Sequence, residues 1–319
     1  MKTSFKRLAV ALVGLAAGSA TMAQGFVVEK TDGTKVYYYD SEVRRISLFE
    51  GTKPGEEPTP DPQPAENEAT KTFTVTGNDK TVTFRMKLVE AGTFQMGSTS
   101  GYSNEQPVHL VTLKKDYYMG ETEVTQALWY AVMGQNPTSD GSQWSSTVGL
   151  GDNNPAYFVS WDDCQTFITK LNALTGVTFR LPTEAEWEFA AKGGNKSQGY
   201  TYAGGNTLND VAWNRDNSQS LGRNHPDYGT HAVATKAPNE LGLYDMSGNV
   251  TEECQDRLGE YSSDVQADPT GPDSGTYHVY RGGSWFGKMD ECRVTARGRS
   301  TGYRSWSSGL RLALVPLQE

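Results

Sequence analysis

Residues 242–250 read Gly-Leu-Tyr-Asp-Met-Ser-Gly-Asn-Val and form one of six distinctive sequence blocks spread along the chain. The other five are Phe-Gln-Met-Gly at 94–97, Met-Gly-Glu-Thr-Glu-Val-Thr at 119–125, Arg-Leu-Pro-Thr-Glu-Ala-Glu-Trp-Glu at 180–188, Arg-Gly-Gly-Ser-Trp at 281–285 and Gly-Leu-Arg-Leu-Ala at 309–313. Together the blocks extend over most of residues 71–319. We therefore expect this region to be one domain, long enough to bury about three quarters of its unfolded surface.

Helix signals in this region are few but clear. Ser160 with Asp163 forms a capping box that predicts a helix ending at Gly176. Thr183 with Glu186 repeats the pattern, and a third helix is predicted over residues 125–133. The rest is expected to be short strands and long loops rich in Gly, Asn, Asp and Ser.

The composition excludes some classes of partner. The 319 residues include 34 Gly, 16 Tyr and 7 Trp, which is typical of a loop-rich globular protein. The net charge is −9, and it becomes −12 for residues 24–319, because the first 23 residues carry three basic side chains and no acid. Nucleic acid is therefore not expected as a partner, since phosphate binding relies on clustered Lys and Arg.

The first 23 residues are typical of a secretory signal peptide. Basic residues precede an apolar run at 8–17, and Ala23 ends a small-residue cleavage site. We expect an exported protein, located in the periplasm, on the cell surface or in the medium. No later stretch approaches about twenty apolar residues, so we expect no membrane span.

Two further segments are predicted before the main domain. Residues 24–50 contain two apolar runs on either side of Asp32-Gly33, which predicts a small β-hairpin module. Residues 51–70 are rich in proline and acid, which is typical of an extended linker.

The six blocks resemble those of the formylglycine-generating enzymes, the sulfatase-modifying factor family. The resemblance covers nearly all of residues 71–319 and implies a compact α+β domain related to C-type lectins. Relatives on this scaffold oxidise a sulfatase cysteine with copper and oxygen, form carbon–sulfur bonds with iron, or lack catalytic activity. The fold alone therefore does not fix the function.

The resemblance places the two copper-binding thiols three and eight residues after Ser284. This chain has Gly287 at the first position and Cys292 at the second, so one sulfur ligand is missing. Copper is therefore not expected, since copper(I) prefers two thiolates. Cys164 is expected to be a buried thiol. Three pairings of the cysteines are possible, and we expect a disulfide between Cys254 and Cys292.

Calcium is the expected ion. Asp245, Gly248, Val250 and Glu252 match a structural calcium site of the family and offer the hard oxygen ligands that Ca²⁺ prefers. The alternative is a turn capped by an acid. The family places aromatic residues beside this glutamate, whereas the chain reads Thr-Glu-Glu-Cys over 251–254, which weakens the case for catalysis.

The C-terminal stretch between Arg281 and Arg311 holds seven basic and two acidic residues, together with several aromatic residues. In the relatives this region lines the groove for the substrate peptide. A binding surface is therefore expected, because aromatic and arginine residues carry much of the energy of recognition. Its expected members are Ser284, Trp285, Arg297, Tyr303 and Trp306. The alternative is that Trp285 is core and the arginines pair with acids.

The leading hypothesis is a calcium-stabilised, non-oxidase binding module for a peptide, protein or glycan. In one variant the C-terminal loops are diversified, as in lectin-like proteins varied by retroelements. The first alternative is an oxidoreductase of the formylglycine-generating type that acts on a protein cysteine through Cys292. The second is a structural component of an envelope or secretion assembly, which would suit the hairpin and linker.

Overall fold

The computed structural model describes residues 69–138 and 143–314 with their side chains, and the backbone of three strands nearer the N-terminus. The chain divides into two compact units, Met1–Ala65 and Glu66–Glu319. The predicted signal cleavage site and most of the predicted linker lie outside the described residues. Within the described part, no helix is long and apolar enough to cross a membrane.

The first unit contains a three-stranded antiparallel sheet. Its strands are β1 (Val10–Val13), β2 (Gly25–Glu29) and β3 (Lys35–Tyr39), in the order β1-β2-β3. The register of β2 and β3 runs from Gly25 opposite Tyr39 to Glu29 opposite Lys35. This pairing confirms the predicted hairpin, although its turn lies outside the described residues.

The second unit is built on three small curled sheets. Its strands are β4 (Thr70–Gly77), β5 (Lys80–Val89), β6 (Gly92–Met96), β7 (His109–Leu113), β8 (Tyr117–Gly120), β9 (Phe179–Arg180), β10 (Thr251–Arg257), β11 (Gln266–Ala267), β12 (His278–Arg281), β13 (Arg297–Ser300), β14 (Ser308–Gly309) and β15 (Ala313–Leu314). The sheet orders are β4-β5-β8-β15-β9, β11-β7-β6 and β13-β12-β10-β14. The short strands separated by loops confirm the α+β class that the motif resemblance implies.

Four α-helices accompany the sheets in the described part of the chain. They are α1 (Gln126–Met133), α2 (Trp161–Thr175), α3 (Glu184–Ala191) and the single turn α4 (Leu208–Val211). Thr125, Ser160 and Thr183 cap the first three at their N-termini, as the sequence predicts. Gly176 ends α2 with φ 69°, a left-handed conformation that glycine adopts without strain. The single-turn α4 has Thr207 at its N-cap position, without a side-chain cap hydrogen bond.

The core consists of two main hydrophobic clusters. One surrounds α1 and α2, where the rings of Trp129 and Phe167 stack at 5.1 Å. The other surrounds α3, whose Trp187 is fully buried. The four-stranded sheet lies beside this second cluster and carries β10 at its centre. Strand β10 runs antiparallel to β12 and parallel to β14.

Candidate ligand-binding site

A pocket of about 260 Å³ opens beside the four-stranded sheet. Strand side chains alternate between the two faces of a sheet, so Thr251 and Glu253 of β10 face the pocket while Glu252 and Cys254 face the core. Tyr280 of β12 lies opposite Glu253 in the strand register and also lines the pocket.

The floor of the pocket holds a buried carboxyl group. Glu253 is 1% exposed, and its Oε1 accepts hydrogen bonds from the hydroxyls of Ser300 at 2.8 Å and Ser308 at 3.0 Å. Its Oε2 is buried without a hydrogen-bond partner. Burial raises the pKa of Glu253 to about 7, because the charged form loses its hydration.

Aromatic rings form much of the pocket wall. Tyr303 is 82% exposed and Phe286 is 53% exposed, so both present apolar surface to solvent at the opening. Tyr280 lies against Gly298, where an added Cβ would come within 2.2 Å of the tyrosine ring. The glycine at position 298 therefore allows the Tyr280 ring to lie close to the backbone of β13.

A second, more apolar groove of about 250 Å³ adjoins the pocket through Phe286. Its other members include Val148, Tyr228 and Trp306. Trp306 is 38% exposed and its ring lies 4.7 Å from that of Phe158. The pocket and this groove offer adjacent polar and apolar sites, the combination that ligand-binding clefts use for orientation and affinity.

The structure brings most of the predicted binding residues to these two cavities. Ser284 and Tyr303 line the pocket, and Trp285 and Trp306 line the groove. Trp285 is nevertheless buried, and its indole Nε1 donates to the carbonyl of Trp306 at 3.1 Å. Trp285 is therefore a core residue that packs under the groove. This agrees with the alternative interpretation of the sequence, in which Trp285 belongs to the core.

Arg297 was predicted to contact a ligand, and the structure shows that its guanidinium is engaged mainly by groups of the domain itself. The side chain lines the pocket but is 7% exposed, and its guanidinium forms a bidentate ion pair with Glu184 at 2.7 and 2.5 Å. It also donates to the carbonyls of Asn104 and Gly259 and lies over the ring of Tyr261 at 3.9 Å. Its donors are thus largely used inside the domain.

Acids from elsewhere in the chain neutralise most of the basic C-terminal stretch. The ion pairs are Arg281 with Glu184 and Glu188, Arg293 with Glu105, Arg297 with Glu184, Arg304 with Asp163, and Arg311 with Glu252. Within this described stretch, Lys288 and Arg299 form no ion pair. The local excess of positive charge in the sequence is therefore mainly a set of internal ion pairs, and the surface that remains is aromatic and hydroxyl-rich.

The structure does not contain the predicted disulfide between Cys254 and Cys292. Cys254 and Cys292 are free thiols that lie in different hydrophobic clusters, and Cys164 lies in a third. Burial raises the pKa of Cys292 to about 12, so this thiol is protonated at neutral pH. A Cβ added at Gly287 would meet backbone atoms of Ser284 at 3.0 and 3.2 Å. Position 287, where the resemblance places the first of the two copper-binding cysteines, is thus tightly packed against the backbone of Ser284.

The predicted calcium ligands differ in how available they are. Asp245 is buried; its Oδ2 accepts from the backbone N–H of Ala234 at 2.7 Å, while its Oδ1 has no partner. Glu252 accepts from the indole of Trp187 at 2.6 Å and forms a bidentate ion pair with Arg311. The described residues contain no group of three or more acidic, histidine or cysteine side chains arranged to hold a metal. The unpartnered Oδ1 of Asp245 therefore has the character of a calcium ligand, whereas both oxygens of the Glu252 carboxylate already accept hydrogen bonds.

Electrostatics nevertheless leave this region short of positive charge. Burial raises the pKa of Asp245 to about 6 and also raises that of the buried Glu123, with the neighbouring carboxylates adding to both effects. Arg311 is the cation that faces Glu123, Asp245 and Glu252 together. Glu123, Asp245 and Glu252 are thus three buried acids that face one arginine.

The curled α+β architecture and the cleft on its four-stranded sheet define a domain of the C-type-lectin-like class. The model of the sulfatase-modifying factor enzyme 1-like domain matches residues 72–315, so the chain belongs to this family.

Several relatives are similar over much of the chain. Chaperone protein LppX of Paenibacillus barcinonensis is 31% identical over 261 residues, which cover 70% of this chain and 86% of that protein. The formylglycine-generating enzyme of Thermomonospora curvata is 34% identical over 218 residues, covering 61% of this chain and 66% of the enzyme. The solved structure of Treponema denticola variable protein 1 matches with a TM-score of 0.66 at 34% identity, covering 78% of this chain and 100% of that one.

Sequence reasoning missed the residues at the pocket floor. Glu253 was noted for replacing an aromatic residue of the family, but its pairing with Ser300 and Ser308 was not foreseen. The available signal was strand alternation. If Glu252 faces the core, Glu253 must face the other side of β10.

Proposed function

We propose that this chain is an exported binding module that holds a peptide or protein ligand in the pocket and the adjoining groove. The observation that carries the proposal is the pair of connected cavities bordered by the solvent-exposed rings of Tyr303, Phe286 and Trp306. Exposed aromatic side chains around a polar pocket offer contact area at low entropic cost.

The relatives favour a protein ligand over a glycan. The Paenibacillus relative is named a chaperone, and a chaperone acts on other proteins. A glycan stays the competing ligand, because hydroxyl groups from several serines and aromatic rings also suit a sugar. Export rests on the sequence of residues 1–23. It is tested by N-terminal sequencing of the mature protein from the native host, with the expected first residue at position 24.

The binding proposal is tested with defined peptide and glycan arrays. Tyr303→Ala and Trp306→Ala should each weaken the binding of any array hit about tenfold or more, because aromatic residues at the centre of a binding site contribute strongly. Tyr200→Ala is the matched control, since Tyr200 is an exposed aromatic that lines neither cavity. Hits that all three variants retain unchanged would contradict the proposal.

A variant of the proposal is that the loops around the cavities are diversified. The Treponema denticola structure is named a variable protein, and most of the residues bordering the pocket belong to the C-terminal stretch 280–308. The genome provides the test. Diversification requires a near-copy of this stretch that differs mainly at adenines, and its absence would argue for a fixed ligand.

An oxidoreductase is the competing function, and the similarity to the Thermomonospora curvata formylglycine-generating enzyme favours it. The buried Cys292 and the packed Gly287 weigh against it. Incubation with copper(I) and a cysteine-containing sulfatase peptide tests this function. Formation of the aldehyde product, lost in Cys292→Ala, would establish the oxidase and overturn the proposal of a non-oxidase module.

Calcium binding at Asp245 is a further part of the proposal. The unpartnered Oδ1 of Asp245 and the excess of buried carboxylates around Arg311 support it. Calcium should raise the melting temperature, and EDTA should lower it, because a ligand that binds only the folded state stabilises it. Asp245→Ala should abolish the response to calcium, whereas Asp152→Ala, which alters an exposed acid, should leave it intact.

A further inference from the structure

The floor of the pocket carries a hydrogen-bond acceptor that the protein itself does not satisfy. Both serine hydroxyls that reach Glu253 donate to Oε1, and Oε2 has no partner although the residue is 1% exposed. Leaving a buried carboxylate oxygen without a donor is costly, and buried polar groups nearly always have partners. The structure thus presents an acceptor that a ligand entering the pocket can satisfy.

The charges that face this carboxyl group favour a cation. Glu253 forms no ion pair with any Lys, Arg or His in the part of the chain that the structure describes. Behind it, on α2, lies the Cys164 thiol, whose pKa Glu253 helps to raise. In front of it, the pKa of Tyr280 is raised mainly by burial and then by Glu291 and Glu253, and Arg299 opposes this.

The arginines of the pocket do not reverse this balance. Arg281 and Arg297 line the cavity, but their charges are paired with Glu184 and Glu188. Arg299 is the unpaired base, and its guanidinium lies against the ring of Tyr277 at 5.3 Å. An anionic ligand group would have to approach an unpaired buried carboxylate, whereas a cation would neutralise it.

We propose that the pocket takes a cationic N–H donor, the ammonium or guanidinium group of a lysine or arginine side chain on a peptide ligand, with Glu253 Oε2 as its acceptor. The inference rests on the proposed function and names the chemical group recognised at the same site. The rings of Tyr280, Phe286 and Tyr303 line the path to Glu253, and aromatic faces attract cations and cover their apolar stems. An N–H group is required because Glu253 Oε2 is a buried acceptor that has no hydrogen-bond donor within the protein.

The experiment uses capped pentapeptides Ala-Ala-Xaa-Ala-Ala, with both ends blocked and Xaa as Lys, Arg, acetyl-Lys, trimethyl-Lys or norleucine. Affinities are measured by calorimetry or by ligand-observed NMR at pH 8. The Lys or Arg peptide should bind about tenfold or more tightly than the norleucine and acetyl-Lys peptides, since a charge-assisted hydrogen bond is lost in the latter two. Trimethyl-Lys keeps the charge without the N–H and should also bind more weakly than Lys.

Glu253→Gln should remove the preference for Lys or Arg, because it keeps the side-chain shape and removes the charge. Glu291→Gln is the matched control, since it removes an exposed acid at the pocket rim and should leave the preference in place. The trimethyl-Lys and norleucine peptides decide the matter on the wild-type protein even if the variant fails to fold.

Each outcome bears on either this inference or the proposed function. Equal binding of all five peptides, unchanged in Glu253→Gln and weakened in Tyr303→Ala, would overturn the inference and leave the proposed function standing. A preference for trimethyl-Lys over Lys would also overturn it, because Oε2 would then not be the acceptor. If none of the peptides binds at millimolar concentration, the inference fails, and the peptide and glycan arrays test the proposed function separately.

Discussion

Glu252 and Glu253 are neighbours on β10, yet their carboxylates serve opposite faces of the sheet. Glu252 forms a bidentate ion pair with Arg311 inside the core, and Glu253 lies at the floor of the pocket with one oxygen unpaired. The alternation of a strand thus separates a structural acid from an acid available to a ligand. The two residues should respond differently to mutation.

Glu252→Ala should be strongly destabilising. It removes the bidentate partner of Arg311, which is fully buried, and leaves guanidinium N–H groups without their acceptor in the core. Breaking a buried pair in this way costs about 3–5 kcal/mol. Urea denaturation followed by circular dichroism measures the free energy of unfolding. Asp152→Ala is the control, since it breaks an exposed pair with Lys80 and should cost less than about 1 kcal/mol. A similar cost for both variants would contradict the assignment of Glu252.

Arg297→Ala should also act on stability. The substitution leaves Glu184 without one of its two arginines and empties the space over Tyr261. We expect a loss of about 2–4 kcal/mol, as for other buried charge pairs that lose one member. Trp306→Ala, at a half-exposed ring, should lower the melting temperature far less. If Arg297→Ala weakened ligand binding with no change in the free energy of unfolding, the residue would belong to the binding surface after all.

The three cysteines should all be protected in the native protein and all react after denaturation. They are buried free thiols, and burial raises the pKa of each, so the reactive thiolate is scarce. Intact mass after alkylation, without reductant, should show no label in buffer and three labels in denaturant. A single label in denaturant that becomes three after reduction would instead reveal a disulfide.

The pKa of Glu253 predicts a specific pH dependence of stability. Its folded-state pKa of about 7 lies above the ordinary glutamate pKa of 4.5, so the folded protein binds this proton more tightly than the unfolded chain. Glu253 therefore favours folding below pH 4.5, and this contribution is lost as pH rises through 7. The total is on the order of 3 kcal/mol by linkage.

Glu253→Gln removes the titration, so its free energy of unfolding relative to wild type should rise between pH 4.5 and pH 8. Urea denaturation at several pH values measures this difference. Asp256, whose pKa is also about 7 because of burial and Glu184, titrates in both proteins and cancels in the comparison. A pH-independent difference for Glu253→Gln would mean that Glu253 is not buried as described.

Local features of this fold could be predicted from the sequence, and long-range pairings could not. The caps at Thr125, Ser160 and Thr183 act within one helical turn, so the sequence pattern contains everything that determines them. Arg297 finds Glu184 at a separation of 113 residues, and nothing near either residue encodes that meeting. The same holds for the pocket floor, where Glu253 meets Ser308 at a separation of 55 residues.

The motif resemblance bridged part of this gap, because related chains share one set of long-range contacts. The blocks at 242–250 and 281–285 identified the buried turn at Asp245 and the region of the cleft. The resemblance could not describe positions where this chain departs from its relatives. The main example is Glu253, which lies at a position where the family has an aromatic residue. Its contacts with Ser300 and Ser308 are specific to this chain's own side chains.

Gly298→Ala tests whether the wall of the pocket depends on the close approach of a ring to the backbone. An added Cβ would lie 2.2 Å from the ring of Tyr280, so the ring must move away from β13 toward the cavity. Overpacking of this kind costs about 1–3 kcal/mol, and it should also weaken ligand binding because the displaced ring occupies the pocket. Tyr280→Ala combined with Gly298→Ala removes the clash. The double variant should therefore lose less stability than the sum of the two single changes, as a double-mutant cycle measures. Additive losses would show that the ring and the glycine do not interact, and the pocket wall would then need another explanation.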